Sequence, residues 1–311
     1  MKRIFGPVPS RRLGISLGID VVPYKTCTFD CVYCECGATT DLRVERGEFF
    51  PLEEVVEELT DALAEMHSPP DVITMSGAGE PTLYSRLGEL IDSAKEAGGL
   101  PVAVITNSSL LGDPGVREEV GRADIVLPSL DAAMETAFKR INRPHPSCDL
   151  GSIMEGLGSF LDDYEGTVLF EVLLIEGYNT GEEELSALAG FLSRHRVDSV
   201  QLNTAVRPGT EKGIRPLTRE RLQSICEWFG PNCEIVASAG TRTTHEDFAA
   251  AGRILRLLER RPCTADDIRN ALGIPAPGLA KMLGVMLEDG SVVAEEHAGG
   301  TYYTARDRAG R

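Results

Sequence analysis

Long hydrophobic runs are missing from this 311-residue chain. No segment reaches the roughly 18 consecutive apolar residues that a membrane-spanning helix requires. The first residues, MKRIFGPVPSRRLG, include basic side chains, but no apolar run follows them, so the sequence does not predict a secretory signal peptide. We therefore expect a cytoplasmic protein that has no membrane partner.

Positive charge is also scarce. Lys and Arg number 31 against 48 Asp and Glu, which gives a formal net charge of −17 at pH 7. Because non-specific binding to nucleic acid depends on a basic surface, a broad grip on DNA or RNA is not expected. A local basic patch is still compatible with this composition.

Cysteine is too sparse for a disulfide scaffold, with eight in the whole chain. In a reducing compartment, clustered cysteines are typical of metal or catalytic sites. Four of the eight lie in CTFDCVYCEC, residues 27–36. Cys27, Cys31 and Cys34 are separated by three and two residues, a spacing that lets three thiolates of one loop bind a soft metal centre.

An iron–sulfur cluster, a structural zinc ion and a redox dithiol are all compatible with this loop. Structural zinc normally takes four protein ligands in paired motifs, and a second pair is missing. The cysteines outside the loop stand singly, at Cys148, Cys226, Cys233 and Cys263. Cys36 is a candidate fourth ligand, although its closeness to Cys34 would strain a tetrahedral site. The residues favour an iron–sulfur cluster and leave the other two open.

Short β-branched runs alternate with helical segments up to about residue 240. The predicted strands are 15–22, 71–77, 101–106, 124–130, 167–175, 198–203 and 233–238. The predicted helices are 51–66, 85–97, 116–122, 132–140, 150–163, 181–194 and 218–229. This alternation predicts an α/β fold with a parallel sheet. Both an open doubly wound sheet and a full or partial (β/α) barrel of about six parallel strands fit it.

Polar motifs follow these predicted strands, at the end where such folds collect their chemistry. After the cysteine loop come SGAGEPT (76–82), TNSS (106–109), SLDA (129–132) and NTAVRP (203–208). One such loop would be ordinary. Five in order along the chain predict a single site at the carboxyl ends of the strands.

The pattern changes near residue 247, so we predict a domain over 1–240 and a second, smaller one over 247–311. Three predicted helices, 246–261, 264–273 and 275–290, precede a hairpin in SVVAEEHAGGTYYTA. This order indicates a winged-helix-like α+β module. Its third helix carries only Lys281 as a base, so DNA binding is not expected and packing or protein recognition is the better interpretation.

The motif CTFDCVYC resembles the three-cysteine motif of the radical S-adenosylmethionine (radical SAM) enzymes, including the aromatic residue before the last cysteine. The resemblance covers roughly residues 1–240 and implies a full or partial (β/α) barrel. It also implies that Cys27, Cys31 and Cys34 hold an oxygen-sensitive [4Fe–4S] cluster. Since such clusters usually have four cysteine ligands, three leave one iron open for S-adenosylmethionine.

The same resemblance implies a set of cofactor contacts. SGAGEP is similar to the family's glycine–glutamate motif, with Ala78 in place of a glycine. Glu80 would meet the amino group of the cofactor, and Gly77, Ala78 and Gly79 would allow close backbone approach. The remaining implied or candidate contacts are Tyr33 near the adenine, Thr106, Asn107, Ser129 and Asp131 near the ribose and carboxylate, and Asn203 and Arg207 after the sixth strand.

For the reaction, the resemblance implies a flavodoxin- or ferredoxin-like electron donor, reductive cleavage of S-adenosylmethionine, and a 5′-deoxyadenosyl radical that takes a hydrogen atom from the substrate. Residues 6–23 and 129–145 are similar to a wyosine-synthetase-like group, whose namesake rebuilds a guanosine in tRNA. A tRNA base or a protein side chain is therefore the expected kind of substrate, and neither is assigned.

Arg140, Arg143 and His145 in KRINRPH are the candidate catalytic residues on the substrate side. Together with Arg11 and Arg12 they would form a basic rim that favours an anionic substrate. That preference depends on these arginines not being paired with nearby carboxylates. The alternative function, from another class, is a zinc-stabilised nucleic-acid-binding regulator that uses the C-terminal winged helix.

Overall fold

The computed structural model describes residues 3–10, 12–66, 69–206 and 209–236, and residues 251–306 apart from 252, 256, 259–261, 275, 289, 298 and 299. The chain divides into two compact units, residues 1–64 with 70–239 and residues 65–69 with 240–311. Within the described residues, no helix is both long and apolar enough to cross a membrane.

The larger unit is built on a mostly parallel sheet. Its strands are β1 (Ile4–Ser10), β2 (Gly14–Ile19), β3 (Thr26–Cys27), β4 (Asp41–Leu42), β5 (Val72–Met75), β6 (Val102–Thr106), β7 (Ile125–Pro128), β8 (Thr167–Leu174), β9 (Ser199–Thr204) and β10 (Cys233–Ile235). In the described residues, eight of them form one sheet in the order β1-β2-β5-β6-β7-β8-β9-β10. All neighbours from β2 to β10 pair in parallel, which confirms the predicted α/β sheet.

Strand β1 was not among the predicted strands. It pairs antiparallel with β2 at the edge of the sheet. Pro7 and Pro9 lie within it, and proline argues against a strand because it donates no backbone hydrogen bond. An edge strand tolerates proline, since one of its sides has no partner strand.

The helices of the larger unit begin and end close to the predicted positions. They are α1 (Leu52–Glu65), α2 (Leu87–Gly98), α3 (Pro114–Val120), α4 (Glu135–Ile141), α5 (Leu150–Asp163), α6 (Glu182–Leu192) and α7 (Arg219–Phe229), with a 3₁₀ helix at Pro81–Leu83. Local chemistry sets several of these starts. Asp149 caps α5 by accepting from the Ser152 backbone N–H, and Thr218 caps α7 in the same way from Arg221.

One face of the sheet, which we call the inner face, is apolar at the amino ends of its strands. Leu13, in the turn between β1 and β2, packs there against Val72, Ala103 and Leu127. Because side chains alternate along a strand, Ile73, Val104 and Phe170 point to the opposite face, where they are fully buried.

A contact across the sheet shows that it curves. Arg12, from the same turn, donates to Glu171 of β8 and, at 3.4 Å, to Gln201 of β9. In a flat sheet, the four strand spacings between β2 and β8 would separate them by about 19 Å. One arginine side chain cannot span that distance, so the inner face is concave, as in a partial barrel.

The smaller unit has helices α8 (Ala265–Leu272) and α9 (Ala276–Glu288) and strands β11 (Cys263–Thr264), β12 (Val292–His297) and β13 (Gly300–Ala305). The strands form an antiparallel sheet in the order β11-β13-β12, and β12 with β13 is the predicted hairpin. The core includes Ile254, Ile268, Leu283 and Val292. The winged-helix assignment remains a prediction, and most of the helix predicted at 246–261 lies outside the described residues.

Candidate functional site

The cysteine loop begins at the end of β3, in the connection that follows the carboxyl end of β2. Its three predicted ligands are half-buried. Each sulfur accepts a hydrogen bond from a different nitrogen-bearing side chain: Cys34 from Lys25 Nζ at 3.1 Å, Cys27 from Asn107 Nδ2 at 3.6 Å, and Cys31 from Asn142 Nδ2 at 3.5 Å. Nitrogen donors of this kind stabilise the negative charge of thiolates and tune iron–sulfur centres.

These surroundings make the thiols chemically unequal. Burial, with the nearby charge of Glu80, raises the pKa of Cys27 to about 12, and burial also raises the pKa of Cys31. Hydrogen bonds from the Cys36 thiol and from Lys25 lower the pKa of Cys34 to about 5. The thiolate is the metal-binding form, and of the three cysteines Cys34 is the one whose surroundings favour that form.

Lys25 was not identified from the sequence. Its residue is 2% exposed, and its backbone has φ 59°, in the left-handed region that is uncommon outside glycine. Its N–H donates to the Ala78 carbonyl at 3.2 Å, and its carbonyl accepts from Thr40 and Asp41 at 3.1 Å. These bonds fix a buried ammonium beside Cys34. The one feature of the sequence that could have pointed to Lys25 is its position two residues before the first cysteine of the motif.

Glu80, predicted to meet the cofactor, has both carboxylate oxygens engaged by the protein. Oε1 accepts from the Thr82 backbone at 3.1 Å and from the Thr82 and Thr106 hydroxyls at 2.6 and 2.7 Å, while Oε2 accepts from the Asn107 N–H at 2.8 Å. Burial raises its pKa, and these four bonds oppose the shift. Glu80 therefore joins the loops after β5 and β6 and holds Asn107 in position.

Asp20, the residue directly after β2, is a polar group that the sequence reasoning missed. Its Oδ2 accepts from the Ala78 N–H at 2.9 Å, whereas its Oδ1 is buried and has no hydrogen-bond partner among the described residues. Burial raises its pKa. A Cβ at Gly77 would lie 2.2 Å from Asp20 Cγ, and one at Gly79 would lie 2.0 Å from the Thr26 carbonyl oxygen. The two glycines thus allow their loop to approach Asp20 and the cysteine loop.

Tyr33 and Asp131 lie together, in agreement with the prediction of a single site at the carboxyl ends of the strands. The Tyr33 hydroxyl and Asn142 Nδ2 both donate to Asp131 Oδ2, at 2.5 and 2.8 Å, and the Leu173 N–H donates to Oδ1 at 2.9 Å. Burial raises the pKa of Asp131 to about 6. Asn142, which the sequence reasoning missed, links this carboxylate to Cys31.

The remaining cofactor candidates are more dispersed. Ser129 forms an isolated parallel bridge with Glu171 and is half-buried. Asn203 is paired in register with Leu173, and its side-chain oxygen accepts from the Thr204 N–H at 2.9 Å. Arg207 lies outside the described residues.

Two of the described arginines of the predicted basic rim, Arg12 and Arg143, are paired with carboxylates. Arg12 contacts Glu171, Arg143 contacts Glu211, and Arg140 lies 4.4 Å from the centre of the Tyr178 ring and donates to the Gly177 carbonyl at 2.8 Å. His145 donates its backbone N–H to the Thr28 carbonyl at 2.8 Å. Arg11 lies outside the described residues. The two ion pairs neutralise the charges of Arg12 and Arg143, whereas the contacts of Arg140 leave its charge in place.

The zinc alternative has no assembled ligand set in the described part of the chain. There, no three side chains of His, Cys, Asp or Glu converge closely enough to hold one metal ion. A larger, sulfur-ligated group fits these residues better. Three thiols each accept a hydrogen bond from a nitrogen donor. The nearby Asp20 Oδ1 has no hydrogen-bond partner among the described residues and can accept from a bound group.

The sequence profile of the Radical SAM superfamily matches residues 21–189, which contain the cysteine loop and the strand-end motifs up to β8. The chain belongs to the radical SAM superfamily. As a radical SAM enzyme it uses a [4Fe–4S] cluster and S-adenosylmethionine, so the predictions of both cofactors and of an enzyme are confirmed.

This radical SAM protein has relatives of several sizes. It is 36% identical over 226 residues to a UPF0026 protein of Methanocaldococcus jannaschii, with 72% of this chain and 70% of that protein covered. It is also 34% identical over 304 residues to a protein of Brachyspira hyodysenteriae named GTPase Obg. That match covers 94% of this chain but 44% of the Brachyspira protein, so this chain spans less than half of that relative.

Solved radical SAM structures share the fold. A radical SAM methyltransferase from Sphaerobacter thermophilus superposes with a TM-score of 0.53 and 20% identity, covering 72% of this chain and 67% of the methyltransferase. At this identity the likeness concerns the fold alone.

Proposed function

We propose that Cys27, Cys31 and Cys34 hold the [4Fe–4S] cluster and that the loops after β2, β5, β6 and β7 bind S-adenosylmethionine beside it. The observation that carries this proposal is the set of three nitrogen donors, one for each sulfur. Cys36 and Cys148 have no corresponding lysine or asparagine donor among the hydrogen bonds of the described residues. When bound, the cluster supplies the electron that cleaves S-adenosylmethionine and so yields a 5′-deoxyadenosyl radical.

The protein's own residues orient and charge this site. The buried ammonium of Lys25 stabilises negative charge on the Cys34 sulfur. Asp20 Oδ1, which lacks a partner, supports Asp20 as the acceptor for the ammonium group of S-adenosylmethionine, while Glu80 holds the loop from behind. Tyr33 and Asp131 then border the nucleoside part of the cofactor.

The expectation of an anionic substrate loses its support, because Arg12 and Arg143 are paired with Glu171 and Glu211. Residues 6–23 and 129–145 are similar to the wyosine-synthetase-like group, and we propose that the chain shares its scaffold with that group. A protein side chain or a small molecule fits the acidic chain better than a tRNA base, since RNA binding depends on basic surface. An external flavodoxin- or ferredoxin-like protein is the proposed electron donor.

Anaerobic reconstitution tests this function. The full chain should bind about four irons and four sulfides, show a broad visible absorbance that dithionite bleaches, and release 5′-deoxyadenosine from S-adenosylmethionine. A preparation that takes up one zinc ion, forms no 5′-deoxyadenosine and binds DNA in a salt-sensitive way would instead support the regulator alternative.

A further inference from the structure

A row of four polar side chains crosses the last strands of the sheet. Ser129 bridges to Glu171, Glu171 is in register with Gln201, and Gln201 is in register with Glu234. Residues side by side on adjacent strands point to the same face of a sheet. The four side chains therefore form one line, which we call the polar row.

The polar row lies on the concave inner face. Leu127 and Leu169 belong to the apolar cluster with Leu13 on that face, and Ser129 and Glu171 each follow one of them by two residues. Side chains two residues apart on a strand share a face. The inner face thus changes from apolar at the amino ends of the strands to polar toward their carboxyl ends, where the candidate site lies.

The polar row is adjacent to that site. Ser129 is two residues before Asp131, whose carboxylate accepts from Tyr33. Burial is the main cause of the raised pKa of Asp131 and Tyr33, and the charge of Glu171 raises both further. A substrate seated on the polar row would therefore lie beside the region proposed for S-adenosylmethionine.

The balance of charge in the polar row is negative among the described residues. Arg12 offsets one carboxylate by pairing with Glu171. Glu234 accepts from Gln201 Nε2 at 2.9 Å and from Ser199 Oγ at 2.7 Å, two neutral donors, and it is exposed to solvent. A phosphate would be repelled from this surface, whereas a cation would gain charge-assisted hydrogen bonds.

We propose that the polar row binds a cationic nitrogen group of the substrate, a protonated amine or a guanidinium, with Glu234 as its charged acceptor beside the Arg12–Glu171 pair. This inference rests on the radical SAM function proposed above and narrows its substrate class. The same chemistry is available from a lysine or arginine side chain of a polypeptide and from a small-molecule amine. The concave face offers the carboxylates to either source.

A deuterium-transfer assay distinguishes the sources. The reconstituted full chain is incubated, with S-adenosylmethionine and dithionite, with four carbon-deuterated pools: a tryptic peptide digest, small molecules retained by cation exchange, small molecules retained by anion exchange, and tRNA. Deuterium in 5′-deoxyadenosine should come from the peptides or from the cationic small molecules. Deuterium from the anionic fraction or from tRNA alone would overturn the proposal.

A variant ties the result to the polar row. With the active pool, Glu234→Gln should raise KM roughly tenfold, because a charge-assisted hydrogen bond becomes a neutral one, with iron content unchanged. Glu96→Gln, which changes an exposed acid on α2, is the matched control and should keep the wild-type KM. An unchanged KM in Glu234→Gln would also overturn the proposal. Failure of the wild type to release any 5′-deoxyadenosine, even without a pool, would instead count against the proposed function.

Discussion

The cysteine loop and the C-terminal unit both contain cysteine in packed surroundings, but they surround it with opposite chemistry. Cys263 is 0% exposed within a core of isoleucine, leucine and methionine. Cys31 receives a hydrogen bond from Asn142, and Cys34 one from Lys25. A buried cysteine most often behaves as a small hydrophobic residue. The difference teaches that the kind of side chain around a thiol, apolar in one region and polar in the other, indicates a cluster ligand better than burial does.

The largest expected effect tests that difference directly. Alanine at Cys27, Cys31 or Cys34 should reduce bound iron from about four per chain to near zero, because the cluster loses a protein ligand. Cys263→Ala should keep the iron and lower the free energy of unfolding by about 1 kcal/mol. Iron and sulfide analysis after anaerobic reconstitution, together with denaturant unfolding, measures both.

Cys36→Ala sharpens the same comparison. We expect it to retain its iron, since the family resemblance leaves the fourth position to S-adenosylmethionine. Loss of iron in this variant, to the level of Cys34→Ala, would show four protein ligands and would remove the open iron on which the proposed function depends.

The next effect concerns S-adenosylmethionine binding. Asp20→Asn should weaken it roughly tenfold, because the buried oxygen that lacks a partner loses its charge. Glu80→Gln should act mainly through the loop, since both of its oxygens are engaged by Thr82, Thr106 and Asn107. Equilibrium dialysis of labelled cofactor against reconstituted protein gives the dissociation constants.

The opposite ranking would contradict this assignment. If Glu80→Gln weakened binding at unchanged stability while Asp20→Asn bound normally, the amino group would belong to Glu80, as the family resemblance implies. Iron content is measured in both variants, because Glu80 holds Asn107, the donor to Cys27, and a loss of cluster would by itself weaken cofactor binding.

A smaller effect is expected at Lys25. Its ammonium stabilises added negative charge on the cluster through Cys34, so Lys25→Met should lower the midpoint potential. A charge-assisted hydrogen bond is worth about 1.5 kcal/mol, which corresponds to roughly 60 mV for a one-electron couple. Redox titration followed by electron paramagnetic resonance measures the shift. Lys25→Arg keeps the positive charge, so its midpoint potential should be close to that of the wild type. Equal potentials in the wild type and Lys25→Met would assign the lysine a purely structural role.

The order of strands and helices in the larger unit and the cysteine ligands could be predicted from the sequence, because both depend on local spacing. It did not allow β1 to be predicted, since Pro7 and Pro9 obscure an edge strand. Asn142 and Asp20 were not predicted as site residues for another reason. Asn142 lies 111 residues from Cys31 along the chain, and only the folded sheet brings the two together. The paired state of Arg12 and Arg143 likewise depends on distant carboxylates.

The smallest expected effect lies in the C-terminal unit, where a capping box begins α8. Thr264 Oγ1 accepts from the Asp267 N–H at 3.2 Å, and Asp267 Oδ2 accepts from the Thr264 N–H at 3.0 Å. Thr264→Ala should destabilise α8 by about 1 kcal/mol, seen as faster hydrogen exchange of its amides, while Thr264→Ser should keep the cap. Iron content and cofactor cleavage should not change in either variant. A loss of cluster in Thr264→Ala alone would mean that the cluster in the larger unit depends on the folding of the C-terminal unit. The two regions would then differ in composition but would not fold independently.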